Sequence, residues 1–117
     1  MSPSPSPTIY GDIWQYQYRV DRTEFNAPLG IAVASDSSIY VADTRNHRVK
    51  RLAADGTVVS MWGADGGTTG RTGTAPGEFS NPVGVAVDAS GNVFVVEYGN
   101  HRIQKFSADG APIAQWG

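Results

Sequence analysis

Two stretches of this chain carry the same order of apolar and polar positions. From residue 24 to 63, and again from 78 to 117, short apolar runs alternate with polar turns. The two copies stay in register, without a gap, at a spacing of 54 residues. Fifteen of forty positions are identical, among them Gly30 and Gly84, Asn46-His47-Arg48 and Asn100-His101-Arg102, and Trp62-Gly63 and Trp116-Gly117. Other apolar positions exchange for apolar ones, as Ile31 for Val85 and Tyr40 for Phe94. An ungapped match of that length marks an internal repeat.

Each unit predicts four short strands. The first spans Gly30–Ala34 and Gly84–Asp88, with small and apolar residues throughout, as in a strand buried on both faces. The second, Ile39–Asp43 and Val93–Glu97, is rich in Val, Ile, Tyr and Phe, which suit a pleated surface. The third, Arg48–Leu52 and Arg102–Phe106, mixes basic and apolar residues and reads as half exposed. The fourth covers Val58–Trp62 and Ile113–Trp116. Pro112 beside it lacks an N–H for a central ladder, so this strand belongs at the outer edge. Asp55-Gly56 and Asp109-Gly110 predict tight two-residue hairpins, and Ser90-Gly91-Asn92 predicts another, replaced by Asp36-Ser37-Ser38 in the first unit. No helical periodicity is present. Four antiparallel strands in ~40–45 residues describe one blade of a β-propeller. The fold class is therefore all-β: two complete four-stranded antiparallel blades, plus an N-terminal outer strand.

Five segments follow. Residues 1–7 alternate Ser and Pro after the first Met, a disordered leader unable to build a core. Residues 8–23 alternate aromatic and polar side chains around Trp14, Tyr16 and Tyr18, the pattern of a strand and connector from a preceding, partial blade. Residues 24–63 form blade 1, 64–77 a flexible Gly/Thr-rich inter-blade loop, and 78–117 blade 2. Two blades leave two apolar faces open. Either three copies associate head to tail into a six-bladed ring, or the chain is a piece of a longer propeller.

The stretches Asn-Pro-Val-Gly-Val-Ala-Val-Asp (81–88), Val-Phe-Val-Val-Glu (93–97) and Gly-Asn-His-Arg-Ile-Gln-Lys-Phe (99–106), with Ala-Asp-Gly and a closing Trp-Gly, resemble NHL repeats. Over residues 24–117 the chain is similar to part of an NHL six-bladed propeller. It departs from that pattern at Ala34, where the second unit has Asp88, and at Glu97, where an Asp is usual. The resemblance implies two functions: a metal-dependent amidating-lyase or lactonase-like activity in the central cavity, or RNA binding through a basic face.

Composition narrows these. The chain has 117 residues, no cysteine, nine Lys and Arg against eleven Asp and Glu, and a formal net charge of −2. Thiolate metal sites and disulfides are excluded. A slightly acidic chain is a poor match for a nucleic acid or an anionic membrane. Nothing approaches the ~20 apolar residues of a membrane span, and no signal peptide is visible, so the default compartment is cytoplasmic.

The turn between the second and third strands shares one end of the blade with the inter-blade loop. Loop faces on rigid scaffolds are where binding concentrates. The candidates there are Arg45, His47, Arg71, Tyr98 and His101. Asp43 with Arg48, and Glu97 with Arg102, flank the same turn in both units. Recurrence in every blade favours structural ion pairs over a ligand rim. Asn46 and Asn100 are expected to take the left-handed backbone of the turn. His47 and His101 are too far apart on adjacent blades to share a metal, and no third ligand accompanies them. Asp88, Glu78 and Glu24 lie near the ends of the innermost strand, where a propeller enzyme places carboxylates, but Asp88 beside Ser90 suits turn capping. No catalytic residue, metal or cofactor is assigned. The leading reading is a non-enzymatic scaffold that binds a protein or peptide through its loop face. The alternatives are a propeller-type lyase or hydrolase with a central metal, and single-stranded RNA binding through a local cluster of Arg45, Arg48, Arg71 and Arg102.

Overall fold

The computed structural model describes residues 25–117. The expected leader, the partial blade strand of 8–23, and Glu24 lie outside them. Eight strands run in chain order: β1 Gly30–Val33, β2 Ile39–Asp43, β3 Arg48–Leu52, β4 Val58–Gly63, β5 Pro82–Val87, β6 Val93–Glu97, β7 Arg102–Phe106 and β8 Pro112–Trp116. They form two antiparallel meanders, β1-β2-β3-β4 and β5-β6-β7-β8, which are the two blades. Pro112 sits in outer strand β8, as a residue without a ladder donor requires.

All four hairpins at one end of the blades share a single geometry. In Ala34–Ser38, Ala53–Thr57, Asp88–Asn92 and Ser107–Ala111, the first residue's N–H donates to the fifth residue's carbonyl. The fourth residue's N–H donates back to the first residue's carbonyl. These are three-residue loops with a left-handed fourth position, wider than the two-residue turns expected from Asp-Gly. Gly56, Gly91 and Gly110 fill that position at φ 90°, 86° and 92°, while Ser37 is held there at 72°. Side chains reinforce all four loops, the last through Ser107 Oγ, which accepts the Ala111 N–H. The carboxylates of Asp36, Asp55 and Asp88 accept the N–H two residues on.

The blades pack face to face. Tyr40, Val49 and Trp62 of blade 1 meet Phe79, Val93, Val95 and Phe106 of blade 2 in one core. Trp62 lies at its centre, with ring centroids 6.2 Å from Tyr40 and 5.9 Å from Phe106. Its indole N–H finds no acceptor. The gap between blades narrows toward inner strands β1 and β5. A Cβ on Gly30 would stand 3.0 Å from the Gly84 backbone. Small residues therefore belong on the inner strands, and indoles belong outside.

Two burial expectations change. The first strand is not buried on both faces in blade 1. Ile31 and Val33 are 68% and 67% exposed, whereas their counterparts Val85 and Val87 pack against the core that blade 1 closes. The third strand of blade 1 is more enclosed than its basic residues suggest. Arg48, Val49 and Lys50 are all buried, because β3 is a central strand and Arg48 is paired with a carboxylate.

Ser37 offers a direct test of the hairpin geometry. A side chain in the left-handed region costs free energy that glycine does not. Ser37→Gly should therefore stabilise the protein by about 0.5–1 kcal/mol in urea unfolding, net of glycine's greater entropy in the unfolded chain.

Candidate binding surface

The opposite end of the blades carries the Asn-His-Arg turns and the connection from β4 to β5. In the first turn, Thr44–Asn46 form one turn of 3-10 helix, and His47 is the left-handed residue at φ 52°. His101 repeats this at φ 54°. Histidine, not asparagine, thus holds the strained position. The asparagine has a different task, set by the carboxylate three residues before it.

Asp43 is fully buried. One of its oxygens accepts the Asn26 N–H at 2.7 Å. The other accepts Asn46 Nδ2 at 2.9 Å and Arg48 Nε at 2.8 Å. Arg48 Nη1 then donates to the Gly67 carbonyl at 3.0 Å. Glu97 does the same in blade 2. Its oxygens accept the Ser80 N–H at 3.1 Å, Asn100 Nδ2 at 2.8 Å, Arg102 Nε at 2.7 Å and Gln104 Nε2 at 2.8 Å. Asp43–Arg48 and Glu97–Arg102 are therefore hydrogen-bonded ion pairs inside the framework rather than a rim open to ligand.

The second network also holds the inter-blade loop. Arg102 donates to the carbonyls of Thr74, Ala75 and Glu78, and Asn100 to that of Gly73. Gln104 accepts the Gly77 N–H and donates to the Glu78 carbonyl. The loop expected to be flexible is stapled over residues 73–78. Gln104, buried in the middle of β7, was not among the sequence candidates. Its signal was a polar side chain at the centre of a strand.

The five surface candidates fall into three places. Arg45 is exposed at the tip of the first turn, while its N–H donates to the Asn26 carbonyl. Arg71 makes a two-point pair with Asp65, at 2.9 and 3.2 Å, on the inter-blade loop. The guanidinium of Arg71 holds the Asp65 carboxyl below its ordinary value. Tyr98, 71% exposed, and His101 stand together at the free edge of blade 2, ring centroids 6.2 Å apart. His47 lies in the seam between blades, where its Nδ1 accepts the Asn81 N–H at 3.0 Å. The proton of the neutral ring is then on Nε2. Asp88, weighed above as a cavity carboxylate, accepts the N–H groups of Ser90 and Asn92 instead. Glu78 accepts the Ala75 N–H. Among the described residues no group of three His, Asp or Glu side chains is placed to hold a metal ion.

Two consequences are measurable. Asp43→Ala strands a buried guanidinium, and removal of one partner of a buried pair costs about 3–5 kcal/mol; the loss should appear in the urea midpoint. His47 gives a pH signature. Burial lowers its pKa from the ordinary 6.5. The neutral ring is thus favoured on folding, and its contribution is full above pH 6.5 and lost as pH falls through the lowered folded value. A protonated Nδ1 also cannot accept the Asn81 N–H. Melting temperature should fall on acidification below pH 6.5, and His47→Asn, which keeps a residue tolerant of the left-handed region, should flatten that slope.

Comparison with known proteins places this geometry. The NHL repeat model matches residues 25–52 and 79–106, the two turns with their flanking strands. NHL repeat-containing protein 3 of Homo sapiens is 32% identical over 89 residues, covering 74% of this chain and 24% of the human protein. Peptidyl-glycine alpha-amidating monooxygenase of Mus musculus is 34% identical over 98 residues, covering 80% of this chain and 10% of the mouse protein. The chain thus spans a quarter or less of the length of these two relatives. Among solved structures, a streptogramin B lyase superposes with a TM-score of 0.56 at 19% identity, covering 76% of this chain and 26% of that one. That likeness concerns the fold, a β-propeller. With two NHL repeats folded as two four-stranded propeller blades, this chain belongs to the NHL-repeat family.

Proposed function

We propose that the chain is a non-enzymatic propeller scaffold that binds a protein or peptide through the end carrying the Asn-His-Arg turn and the inter-blade loop. The observation behind this reading is Arg45. It is exposed at the tip of a turn whose backbone is fixed from three sides, by Asp43, Asn26 and Asn46. No side-chain partner faces it among the described residues. A charged group on a rigid turn needs little ordering to bind, which favours recognition. Arg71, on the loop of the same end, is a second guanidinium, and it would exchange the Asp65 carboxylate that holds its Nε and Nη2 for a partner's. Two such groups suit carboxylates, so the partner's contact segment is acidic. The enzyme reading draws no support from the side chains. The exposed carboxylates of Asp36, Asp55 and Asp88 are engaged in capping hairpins at the other end of the blades.

Selection of peptides against the immobilised 117-residue protein should enrich acidic sequences. Their affinity, measured by fluorescence anisotropy, should fall about three- to tenfold in Arg45→Ala and further in the double variant with Arg71→Ala. Peptides that bind the double variant as tightly as the wild type would sink the reading.

A further inference from the structure

We infer that the two open blade faces are complementary halves of one interface, and that copies of this chain join through them head to tail into a closed ring. The template is the seam between blade 1 and blade 2, because the 54-residue repeat reproduces both of its halves at the free edges.

The apolar halves come first. Blade 2 offers the seam Phe79, Val85, Val93, Val95 and Phe106. The same positions of blade 1 are Phe25, Ile31, Ile39, Val41 and Leu52, and they line an open depression on its outer face. Blade 1 offers the seam Tyr40, Ala42, Val49 and Trp62. The same positions of blade 2 are Phe94, Val96, Ile103 and Trp116, of which the last three are 44%, 38% and 51% exposed. These apolar positions stay apolar at the free edges; the exception on the seam is Ala34, whose counterpart is Asp88.

The close approaches are also reproduced. Trp62 presses on Gly110, where a Cβ would lie 2.8 Å from the indole. The counterpart Gly56 has open space around it, ready for a neighbour's Trp116. Gly30 meets Gly84 across the seam, and Gly84 in turn presents open space on its far side, with only Val96 of its own sheet within 4 Å.

The polar contacts follow the same rule. Across the seam, His47 Nδ1 accepts the Asn81 N–H, with Asn81 at φ 52°. At the free edges stand His101 and Ala27. Ala27 is held at φ 53°, a region alanine disfavours, so its N–H is presented as that of Asn81 is. Arg51 pairs with Asp109 across the seam at 3.5 Å. Lys105 and Asp55 keep the same charges at the edges. Two polar contacts are not reproduced: Tyr98 replaces Thr44, whose hydroxyl donates to the Pro82 carbonyl, and Phe94 replaces Tyr40, whose hydroxyl donates to the Ala108 carbonyl. Such an interface is heterologous, and it forms a ring when its rotation closes. Each copy adds two blades, and three copies give six, within the roughly four to eight of closed propellers.

The test is light scattering on the full chain over a roughly hundredfold dilution series. One closed species of about 37 kDa is expected from the 12.4 kDa chain. Ile31→Glu and Val96→Glu each spoil one face at an exposed site. Each variant alone should be a folded monomer by circular dichroism, and an equimolar mixture should give a 1:1 dimer of about 25 kDa through the faces left intact. A folded wild-type monomer would overturn the inference and assign the faces to residues 1–24 or to further blades of a longer polypeptide. A ladder of species growing with concentration, or no dimer in the mixture, would equally overturn it.

Discussion

A carboxylate buried at the end of the second strand of each blade is the constraint on which the rest of the structure depends. Asp43 and Glu97 are removed from water, and an isolated charge there would be prohibitively costly. Each is stabilised by converging donors: an arginine Nε, an asparagine amide and a backbone N–H from the segment entering the blade. Satisfying the carboxylate thereby fixes three pieces of chain at once. The turn closes because its asparagine reaches back. The third strand is registered because its first residue is the arginine. The incoming connector is docked because its N–H completes the shell. Buried pairs of this kind add little net stability against apolar replacements. Their value lies in geometry, since only one arrangement of strand, turn and connector satisfies all the donors.

The seam between blades is governed by a different rule. Blades converge toward the inner strands and diverge toward the outer ones. Side-chain volume must therefore grow outward, from Gly30 and Gly84 to the Trp62 indole. The packing is apolar, and a few polar contacts set its registry, His47 with Asn81 and Thr44 with Pro82. These two layers of control are independent. The carboxylate shell shapes a blade and the entry to it, and the seam sets how blades meet.

Strand positions, antiparallel order and the edge location of Pro112 were all legible in the residue pattern, because period-two alternation and the needs of proline act locally. The pairing of Asp43 with Arg48 was legible for the same reason, since a short turn brings its flanking residues together. The left-handed residue was not. Asn46 and Asn100 have the higher intrinsic tolerance for that backbone, but their amides are held by a carboxylate, and the strain passes to the histidine that follows. The role of His47 was hidden as well. Its acceptor function depends on an N–H 34 residues away, on a different blade. The burial of β1 was misjudged because an apolar strand in sequence carries no record of whether a neighbour covers it.

The comparison of the two units separates scaffold from function more sharply than either unit alone. Among positions that agree, Asn46 and Asn100 each bond their own blade's buried carboxylate, His47 and His101 each take the left-handed turn position, and His47 bonds across the seam. Their recurrence reflects a mechanical task that every blade must meet. Positions that differ are released from that task. Arg45 stands where blade 2 has Gly99; a Cβ on Gly99 would collide with Ser80, whereas blade 1 carries an exposed side chain at that place. The connection at 64–77, with its Asp65–Arg71 pair, also lies outside the matched units. A residue that the fold does not require, projecting from a backbone that the fold holds rigid, is free to be chosen for a partner. Under the binding function proposed above, Arg45 and the inter-blade loop would carry the specificity of this propeller face, whereas Tyr98 and His101 stand at the free edge of blade 2.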